Sequence, residues 1–358
     1  MKYFLREKDK TKAILEEIRR LVGKEKVRIM HVCGTHEQTI AKYGIRKLLP
    51  ENVKLVCGPG CPVCVTSSRE IDFAVNLAKR KDVILTTFGD MYRTPGSTLS
   101  LSDVKTEGAN VQVVYGINEA KVLAEKNSSK EIIHFAIGFE TTAPSTAIEI
   151  IEAAELDNFS IICSHKRILP AMEYLLSSND IEINAFILPG HVSTITGFEI
   201  YEHISQKFKK PCVVAGFEPN DVLLAVLMIL RQINQGESKV ENEYLRSVKR
   251  QGNLIALEKM KKVFKVCDAS WRGIGVIKNS GLRLKKKFSK HNAEEKFDIK
   301  IGNSIDIKPG CKCAEIMKGK AEPKDCPYFK KVCTPQRPIG ACIVSVEGPC
   351  NIAYRYGE

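Results

Sequence analysis

The sequence predicts an α/β protein with two open parallel-sheet α/β domains and a small, irregular C-terminal domain. Three observations support this class. Short runs rich in Val and Ile alternate with amphipathic stretches, most runs end in a Gly, Pro, Cys or His turn, and the periodicity stops after Gly236. Buried parallel strands and their crossover helices give such an alternation. The chain of 358 residues also exceeds the roughly 250 to 300 residues at which one hydrophobic core stops growing.

Eight short apolar runs are predicted as strands: Val27 to Val32, Val53 to Val56, Val83 to Thr87, Val111 to Tyr115, Ile132 to Ile137, Phe159 to Cys163, Ala185 to Leu188 and Cys212 to Ala215. Helical stretches with start signals lie between them, such as 71–81 after Ser67 and 222–234 after Pro219. Eight such units could close into one barrel. The polar stretch from about residue 118 to 130 favours two successive four-strand sheets instead.

These patterns place domain boundaries after residues 120 and 236. Residues 1–120 are predicted as the first α/β domain, 121–236 as the second and 237–358 as the C-terminal domain. After residue 236 the chain becomes rich in Lys, turns and finally Cys, with little helical periodicity.

Composition argues against two classes of partner. The formal net charge is +13, from 55 Lys and Arg against 42 Asp and Glu, but the basic residues are spread along the chain. Without an aromatic-rich RNA-binding signature, we expect no nucleic-acid binding. The longest apolar run, 222–230, is far shorter than the roughly 20 residues that span a bilayer. We therefore expect a cytoplasmic protein without a membrane segment.

Thirteen cysteines form two dense groups. Four are Cys33, Cys57, Cys61 and Cys64, and six lie between Cys311 and Cys350. A secreted disulfide scaffold would be much shorter, so this distribution indicates metal ligation or redox chemistry inside the cell.

Four distinctive motifs follow predicted strands. They are CGTHE at 33–37, CGPGCPVC at 57–64, GFETT at 138–142 and PGHVS at 189–193. In open parallel sheets, ligands bind at the carboxyl ends of the strands. We therefore expect several of these motifs to converge on one cleft.

Cys61 and Cys64 have the spacing of a redox-active dithiol. A helix beginning near Ser67 would stabilise a thiolate through its dipole. The same spacing offers half of a zinc or iron site, although the second CxxC that a structural zinc site normally needs is absent.

Cys33, His36 and Glu37 supply a thiol, an imidazole and a carboxylate on one helical turn. A thiolate at Cys33 would be a soft ligand for iron and a nucleophile, and His36 could lower its pKa or pass protons. Alternatively, Cys33 is a buried thiol at a strand end and Glu37 serves the helix N-terminus. Glu140 and His191 are expected to make loop hydrogen bonds unless they face the cysteine cleft.

The C-terminal cysteines give the strongest signal. Cys311, Cys326, Cys333 and Cys350 are separated by fourteen, six and sixteen residues, in a segment with too few aliphatic residues for its own core. Four thiolates from an irregular loop suit a [4Fe-4S] cluster, whereas zinc sites usually use two CxxC pairs. Cys313 and Cys342 remain possible ligands as well.

Together these motifs resemble the HypD family of [NiFe]-hydrogenase maturation proteins. The resemblance rests on CGTHE at 33–37, GPGCPVC at 58–64, GFETT at 138–142, PxHVSxxxG at 189–197 and the four C-terminal cysteines. It covers nearly the whole chain. One position departs from the family, which usually has Pro where this chain has Ser67. Because Ser is a good N-cap, we expect the helix start to survive.

The resemblance implies a scaffold on which the Fe(CN)₂CO group of the hydrogenase is assembled. The scaffold would work with a small HypC-type chaperone and receive cyanide from a HypE-type donor. Cys33 would bind the iron with His36 beside it, and Cys61 and Cys64 would be a redox pair and further metal ligands. A [4Fe-4S] cluster would supply electrons. The predicted supporting cleft residues are Thr35, Glu37, Glu140, Thr141, His191 and Ser193.

Two other functions remain open from the sequence. One is a stand-alone iron–sulfur thiol-disulfide oxidoreductase, which needs Cys61 and Cys64 but not Cys33. The other is a zinc-stabilised structural or interaction protein.

Overall fold

The computed structural model describes residues 8–178 and 181–357. It has the predicted α/β class, with two parallel sheets and a cysteine-rich C-terminal region. The strands are β1 (Val27–His31), β2 (Val53–Cys57), β3 (Val83–Thr87), β4 (Val111–Val113), β5 (Glu131–Gly138), β6 (Phe159–His165), β7 (Ala185–Pro189), β8 (Cys212–Ala215), β9 (Val240–Asn242), β10 (Phe264–Trp271) and β11 (Gly275–Leu284).

Helices connect most of these strands. They are α1 (Lys8–Leu21), α2 (Gly34–Lys42), α3 (Ile45–Leu48), α4 (Pro62–Val65), α5 (Ser68–Ala78), α6 (Gly89–Tyr92), α7 (Leu101–Thr106), α8 (Ile117–Lys126), α9 (Ala143–Glu152), α10 (Ile168–Ser177), α11 (Gly190–Thr196), α12 (Glu202–Phe208), α13 (Pro219–Asn234), α14 (Leu254–Val263), α15 (Ala293–Lys296), α16 (Cys313–Met317) and α17 (Pro349–Tyr356). Short 3₁₀ turns cover Glu199–Tyr201, Lys286–His291, Pro323–Asp325 and Ala341–Ile343.

All eight predicted runs are strands, but their grouping differs from the prediction. One parallel sheet has the order β2-β1-β7-β8-β9 and the other β4-β3-β5-β6. The chain thus leaves the first sheet after β2, builds the second, and returns at β7. The predicted grouping into two successive four-strand sheets, divided near residue 120, is therefore wrong. The polar stretch used for that division is α8, an amphipathic helix inside the second sheet unit.

A division after residue 236 does not separate sheets either, because β9 joins the edge of the five-stranded sheet beside β8. Parallel strands are joined by crossovers, so neighbours in the chain need not be neighbours in the sheet. The Val- and Ile-rich runs predict a buried strand without indicating its partner.

The central strands of the five-stranded sheet are buried on both faces, which explains their continuous apolar runs. Ile29 and Met30 are both fully buried in β1 but belong to different cores. Ile29 packs in the core that contains residues of α1 and α13. Met30 faces the core that also contains Cys313 and Cys342. The cysteine-rich segment thus shares a core with the sheets, in agreement with its lack of aliphatic residues.

An antiparallel hairpin of β10 and β11 follows α14 in the chain, packs against β6 of the four-stranded sheet and was not predicted. Its strands expose Lys265 and Val266 in succession, so they lack a clean alternation of buried and exposed residues. The hairpin is anchored by Trp271, which is fully buried and donates its indole N–H to Ser280 Oγ at 2.8 Å. Its tip, residues 272–274, points toward the cysteine-rich segment. Among the described helices, none is both long and apolar enough to cross a membrane.

Candidate functional site

Four of the motif-bearing strand ends converge on one cleft, as expected from the sequence. Its volume is about 320 Å³. The cleft is lined by Val32, Cys33, Gly60, Pro62, Phe139, Thr141, Pro189, His191, Val192, Thr194, Ile195 and Glu347. The ends of β1, β2, β5 and β7 each contribute, together with one residue from the C-terminal segment.

The backbone fixes Cys33 at the base of this cleft. Cys33 follows β1 as the extended N-cap residue of α2. The loop after β2 lies directly against it, since Gly34 N donates to Gly60 O at 3.2 Å. A Cβ on Gly60 would lie 2.2 Å from both Cys33 N and the carbonyl carbon of Val32. Only glycine allows the disulfide loop to approach the iron-binding candidate so closely.

The Cys33 thiol is 8% exposed and holds its proton at neutral pH. Burial, and then the nearby Glu347 carboxylate, raise its pKa to about 11. Glu347 accepts a hydrogen bond from Thr35 Oγ1 at 3.2 Å, and burial raises its pKa too. A metal cation that displaced the thiol proton would therefore find a thiolate and a carboxylate together. Sequence reasoning missed Glu347, which comes from the loop between two C-terminal cysteines.

Cys61 and Cys64 form a disulfide with a Cα–Cα distance of 5.3 Å. Cys61 is the N-cap residue of the short helix α4, and Cys64 lies within this helix. Cys61 Sγ accepts a hydrogen bond from Cys64 N at 3.2 Å. Both residues are buried. In this oxidised form neither sulfur is a thiolate ligand, so the disulfide adjoins the Cys33 cleft as a redox group.

The departure at Ser67 leaves the following helix intact, as expected. Ser67 is the N-cap of α5 and forms a capping box with Glu70. Its Oγ accepts a hydrogen bond from Glu70 N at 3.4 Å.

His36 does not face the Cys33 thiol. Its Nε2 donates to the carbonyls of Ala215 and Gly216 at 3.2 and 3.0 Å, and its ring stacks on Phe217 at 4.9 Å. Phe217 stacks in turn on the exposed ring of His191 at 3.8 Å. Burial lowers the pKa of His36 to about 3, so its imidazole is neutral at physiological pH. Its contacts suit positioning of the cleft wall rather than proton transfer.

Glu37 points to the opposite side of α2, toward a second cleft of about 680 Å³. Its Oε2 lies 2.7 Å from His31 Nε2 and 2.6 Å from an Arg46 Nη atom. Burial alone would raise its pKa, but the Arg46 charge and the His31 hydrogen bond outweigh this effect and lower it to about 2. Glu37 thus stabilises α2 through its contacts with His31 and Arg46, and it lies outside the Cys33 cleft.

The sequence analysis also missed a group formed by His31, Glu37 and Cys57. Their potential ligand atoms lie within 4.8 Å of one another, and in the described ranges this is the single group of three that could hold one metal ion. Arg46 already neutralises the carboxylate of the group.

The remaining predicted cleft residues divide in two. Thr141 and His191 line the cleft, and both are exposed there. Glu140 is buried and accepts a hydrogen bond from Ile168 N at 3.2 Å, and burial raises its pKa to about 7. Ser193 donates to the carbonyl of Pro189 at 2.9 Å. Glu140 is therefore a loop hydrogen-bonding residue, as the alternative interpretation expected, whereas Ser193 lies within α11 and bonds to the N-cap residue of that helix.

All six C-terminal cysteine thiols gather in one place. Cys311 and Cys326 interact with each other, and Cys333 lies near both of them. Cys313 interacts with Cys311 and with the remaining two, Cys342 and Cys350.

This thiol group fits an iron–sulfur cluster. A Cβ on Gly340 would come within 2.5 Å of Cys313 Sγ and 3.0 Å of Cys311 Sγ, so a side chain there would crowd the sulfurs. The six gathered thiols are compatible with an iron–sulfur site, and Cys313 and Cys342 lie among the four predicted ligands.

The two thiol regions are neighbours. The 3₁₀ turn Ala341–Ile343, which carries Cys342, packs against α4, which carries Cys64. Helix α17, which carries Cys350, packs against α2, whose N-cap is Cys33. The elements that carry Cys342 and Cys350 therefore pack directly against the elements that carry Cys64 and Cys33.

Known proteins resemble the chain over nearly its whole length. The family model HypD, described as the hydrogenase formation hypA family, matches residues 9–357. A putative hydrogenase expression/formation protein of Methanocaldococcus jannaschii is 50% identical over 349 residues, 96% of each chain. The hydrogenase maturation factor HypD2 of Bradyrhizobium diazoefficiens is 45% identical over 92% of this chain and 90% of its own. The hydrogenase maturation factor HypD of Cupriavidus necator is 42% identical, over 93% and 90%.

Proposed function

The chain belongs to the HypD family of hydrogenase maturation factors, and from this premise we propose that it is a cytoplasmic scaffold for assembling the Fe(CN)₂CO group of [NiFe]-hydrogenases. One observation carries the proposal. A single small cleft holds the Cys33 thiol, the Glu347 carboxylate and the His191 ring directly beside the Cys61–Cys64 disulfide. A soft metal ligand thus lies in a cleft whose wall is formed in part by Gly60 and Pro62, the two neighbours of Cys61 in the chain.

Cys33 is the proposed ligand for the substrate iron. Its thiol is protonated at neutral pH, so iron binding releases one proton and leaves a thiolate, the donor that suits iron with strong-field diatomic ligands. Glu347, which accepts a hydrogen bond from Thr35, is placed to compensate the charge of the incoming cation. Cys33 alone leaves iron coordination incomplete, which calls for a second donor.

We assign that donor to a HypC-type chaperone, and cyanide delivery to a HypE-type protein. The cleft supports this assignment because its rim is open and polar at Thr141 and His191, where a partner could insert a thiolate. The ring stack from His36 through Phe217 holds the His191 side of the rim in place.

The disulfide and the C-terminal thiols give the scaffold its proposed redox role. Reducing the disulfide takes two electrons and two protons and yields the thiols of Cys61 and Cys64. A [4Fe-4S] cluster bound by Cys311, Cys326, Cys333 and Cys350 supplies single electrons. The packing of the Cys342 turn against α4 keeps the two centres adjacent.

Infrared spectroscopy tests the scaffold. The full chain is purified anaerobically together with a HypC-type partner, iron is quantified, and CN and CO stretches are recorded. We expect the bands in the wild type and in Cys267→Ala, a half-buried thiol of the hairpin outside both thiol regions. We expect none in Cys33→Ala. Bands that persist in Cys33→Ala contradict the proposal, and a wild type with a titratable dithiol but no bands is an oxidoreductase instead.

A further inference from the structure

Arg272 lies at the tip of the β10–β11 hairpin, between the two thiol regions. Its backbone N–H donates to Val65 O, the last residue of α4, at 2.9 Å. Its Nε donates to the backbone carbonyl of Asp306 at 2.8 Å. The residue is 2% exposed, and its Nη1 has no hydrogen-bond partner.

In the described ranges no carboxylate forms an ion pair or a side-chain hydrogen bond with the Arg272 guanidinium. The Asp306 carboxylate is near enough to act on the Arg272 charge, but it accepts hydrogen bonds from Ser68 N at 2.7 Å and Gly273 N at 3.4 Å. A buried cation without an ion-pair partner is costly unless further negative charge lies nearby. A guanidinium cannot lose its proton to avoid this cost, so its surroundings must supply negative charge.

The C-terminal thiols are the groups that can supply it. The hairpin tip is seated against this segment, where a Cβ on Gly273 would come within 2.7 Å of the Cβ of Ala314. The Arg272 charge interacts most strongly with the Cys313 sulfur, and beyond Asp306 also with the sulfurs of Cys342 and Cys311. As neutral thiols these residues do not balance a cation, but as metal-bound thiolates they do.

We propose that Arg272 is the fixed counter-charge of the C-terminal metal–thiolate centre, where it strengthens metal binding and raises the reduction potential of the iron–sulfur cluster. The redox half rests on the proposed function, because it takes that cluster as resident. Arg272 is thus a positioning residue for electron transfer, held by backbone contacts to the disulfide helix α4.

The electron balance gives the direction of the effect. One electron from a titrant such as dithionite makes the cluster and its thiolates one unit more negative, with no proton taken up. A positive charge beside the cluster stabilises the reduced form more than the oxidised form. Removing that charge must therefore lower the reduction potential.

The test uses the full chain, reconstituted anaerobically, in four forms: wild type, Arg272→Met, Arg272→Lys and Arg283→Met. Arg283 is an exposed arginine of the same hairpin, on β11, and serves as the matched control. Cluster potentials are measured by titration monitored with electron paramagnetic resonance. We expect Arg272→Met to make reduction tenfold less favourable, a midpoint about 59 mV lower. Arg272→Lys should shift less, and Arg283→Met should not shift.

A second readout does not need the cluster. The metal-free, reduced chain is titrated with Zn²⁺ against a chelator, and Arg272→Met should bind zinc at the C-terminal thiols about tenfold more weakly than the wild type or Arg283→Met. If the wild type takes up no iron–sulfur cluster, the proposed cofactor is wrong, and zinc affinity still decides the role of Arg272. Unchanged potential and zinc affinity in Arg272→Met, or equal losses in the Lys and Met variants, overturn the inference.

Discussion

Cys33, Cys61 and Cys64 follow two parallel strands, β1 and β2, whereas the six C-terminal thiols lie on turns and on helices of eight residues or fewer. The first region is held by sheet hydrogen bonds, a tight glycine contact and the ion pair of Glu37 with Arg46. The second contains six free thiols and packs on a core that belongs to the sheets.

This difference separates two tasks. A site that must accept and release iron needs a framework that does not depend on that iron. A site that keeps its metal can use the metal as part of its structure. We therefore expect the cleft to be preformed and the order of the C-terminal segment to depend on the metal proposed for its thiols.

Metal removal should give the largest effect and the sharpest contrast. Anaerobic chelation of the full chain should abolish amide protection across residues 311–350 in hydrogen–deuterium exchange, because little regular structure holds them. Strands β1 and β7 should keep their protection. Equal loss in both regions would show that the cleft depends on the metal as well.

Glu37→Gln should weaken the cleft region without removing any cluster iron. Breaking a buried ion pair costs about 3–5 kcal/mol, so the free energy of unfolding at pH 7 should fall by that amount in urea titrations. The pKa of Glu37 is about 2 in the folded chain, below its ordinary value, so its contribution is present above about pH 4.5 and lost as the pH falls toward 2.

That loss should be absent from Glu37→Gln. The exposed Glu125→Gln serves as control and should change stability by less than about 0.5 kcal/mol. Wild type and Glu37→Gln with parallel pH profiles would contradict the role given to this ion pair.

Gly60→Ala should act on the same region by steric pressure. The new Cβ would meet only backbone atoms, 2.2 Å from Cys33 N, which cannot rotate away. We expect a loss of about 1–3 kcal/mol in stability and loss of the infrared bands. Gly89→Ala is the matched control, since its Cβ would find only Val113 Cγ1 at 3.7 Å. Bands of wild-type intensity in Gly60→Ala would mean that the disulfide loop need not lie against Cys33.

Glu347→Gln should give the smallest effect, at the contact between the two regions. Removing this negative charge lowers the pKa of Cys33 and increases its thiolate fraction. Alkylation of Cys33 by iodoacetamide at pH 8, followed by peptide mass spectrometry, should be about threefold faster, equivalent to about half a pKa unit. The exposed Glu258→Gln should leave the rate unchanged. An unchanged rate in Glu347→Gln would assign the raised pKa of Cys33 to burial alone.

The strands could be predicted because each is a short apolar run, as with β3, whose bounds match the prediction. Their order in the sheets could not, because Ile29 pairs with Ala185 through a backbone register that no residue type specifies. The hairpin of β10 and β11 escaped notice because successive residues are exposed. A contact between residues far apart in the sequence leaves no local pattern from which to predict it. Glu347 lies 312 positions from its hydrogen-bond partner Thr35.

Within the CGTHE motif, Cys33 lines the cleft, whereas His36 and Glu37 make their contacts elsewhere. Positions i, i+3 and i+4 of a helix share one face, which favours a common site for Cys33, His36 and Glu37. Cys33 is instead the extended N-cap residue that precedes α2, so helical spacing does not bring its thiol to the face of the other two. The sequence brings them together, and the helix directs Glu37 to the far side.

Because the two sheets interleave along the chain, the parts of the cleft are synthesised at widely different times. β1 emerges from the ribosome early, but its partner β7 is translated much later, and Glu347 appears only near the end of the chain. Pairings this distant are slow to form. A nascent or truncated chain that lacks β7 or Glu347 therefore lacks part of this cleft, and we expect it to be unable to hold the proposed substrate iron.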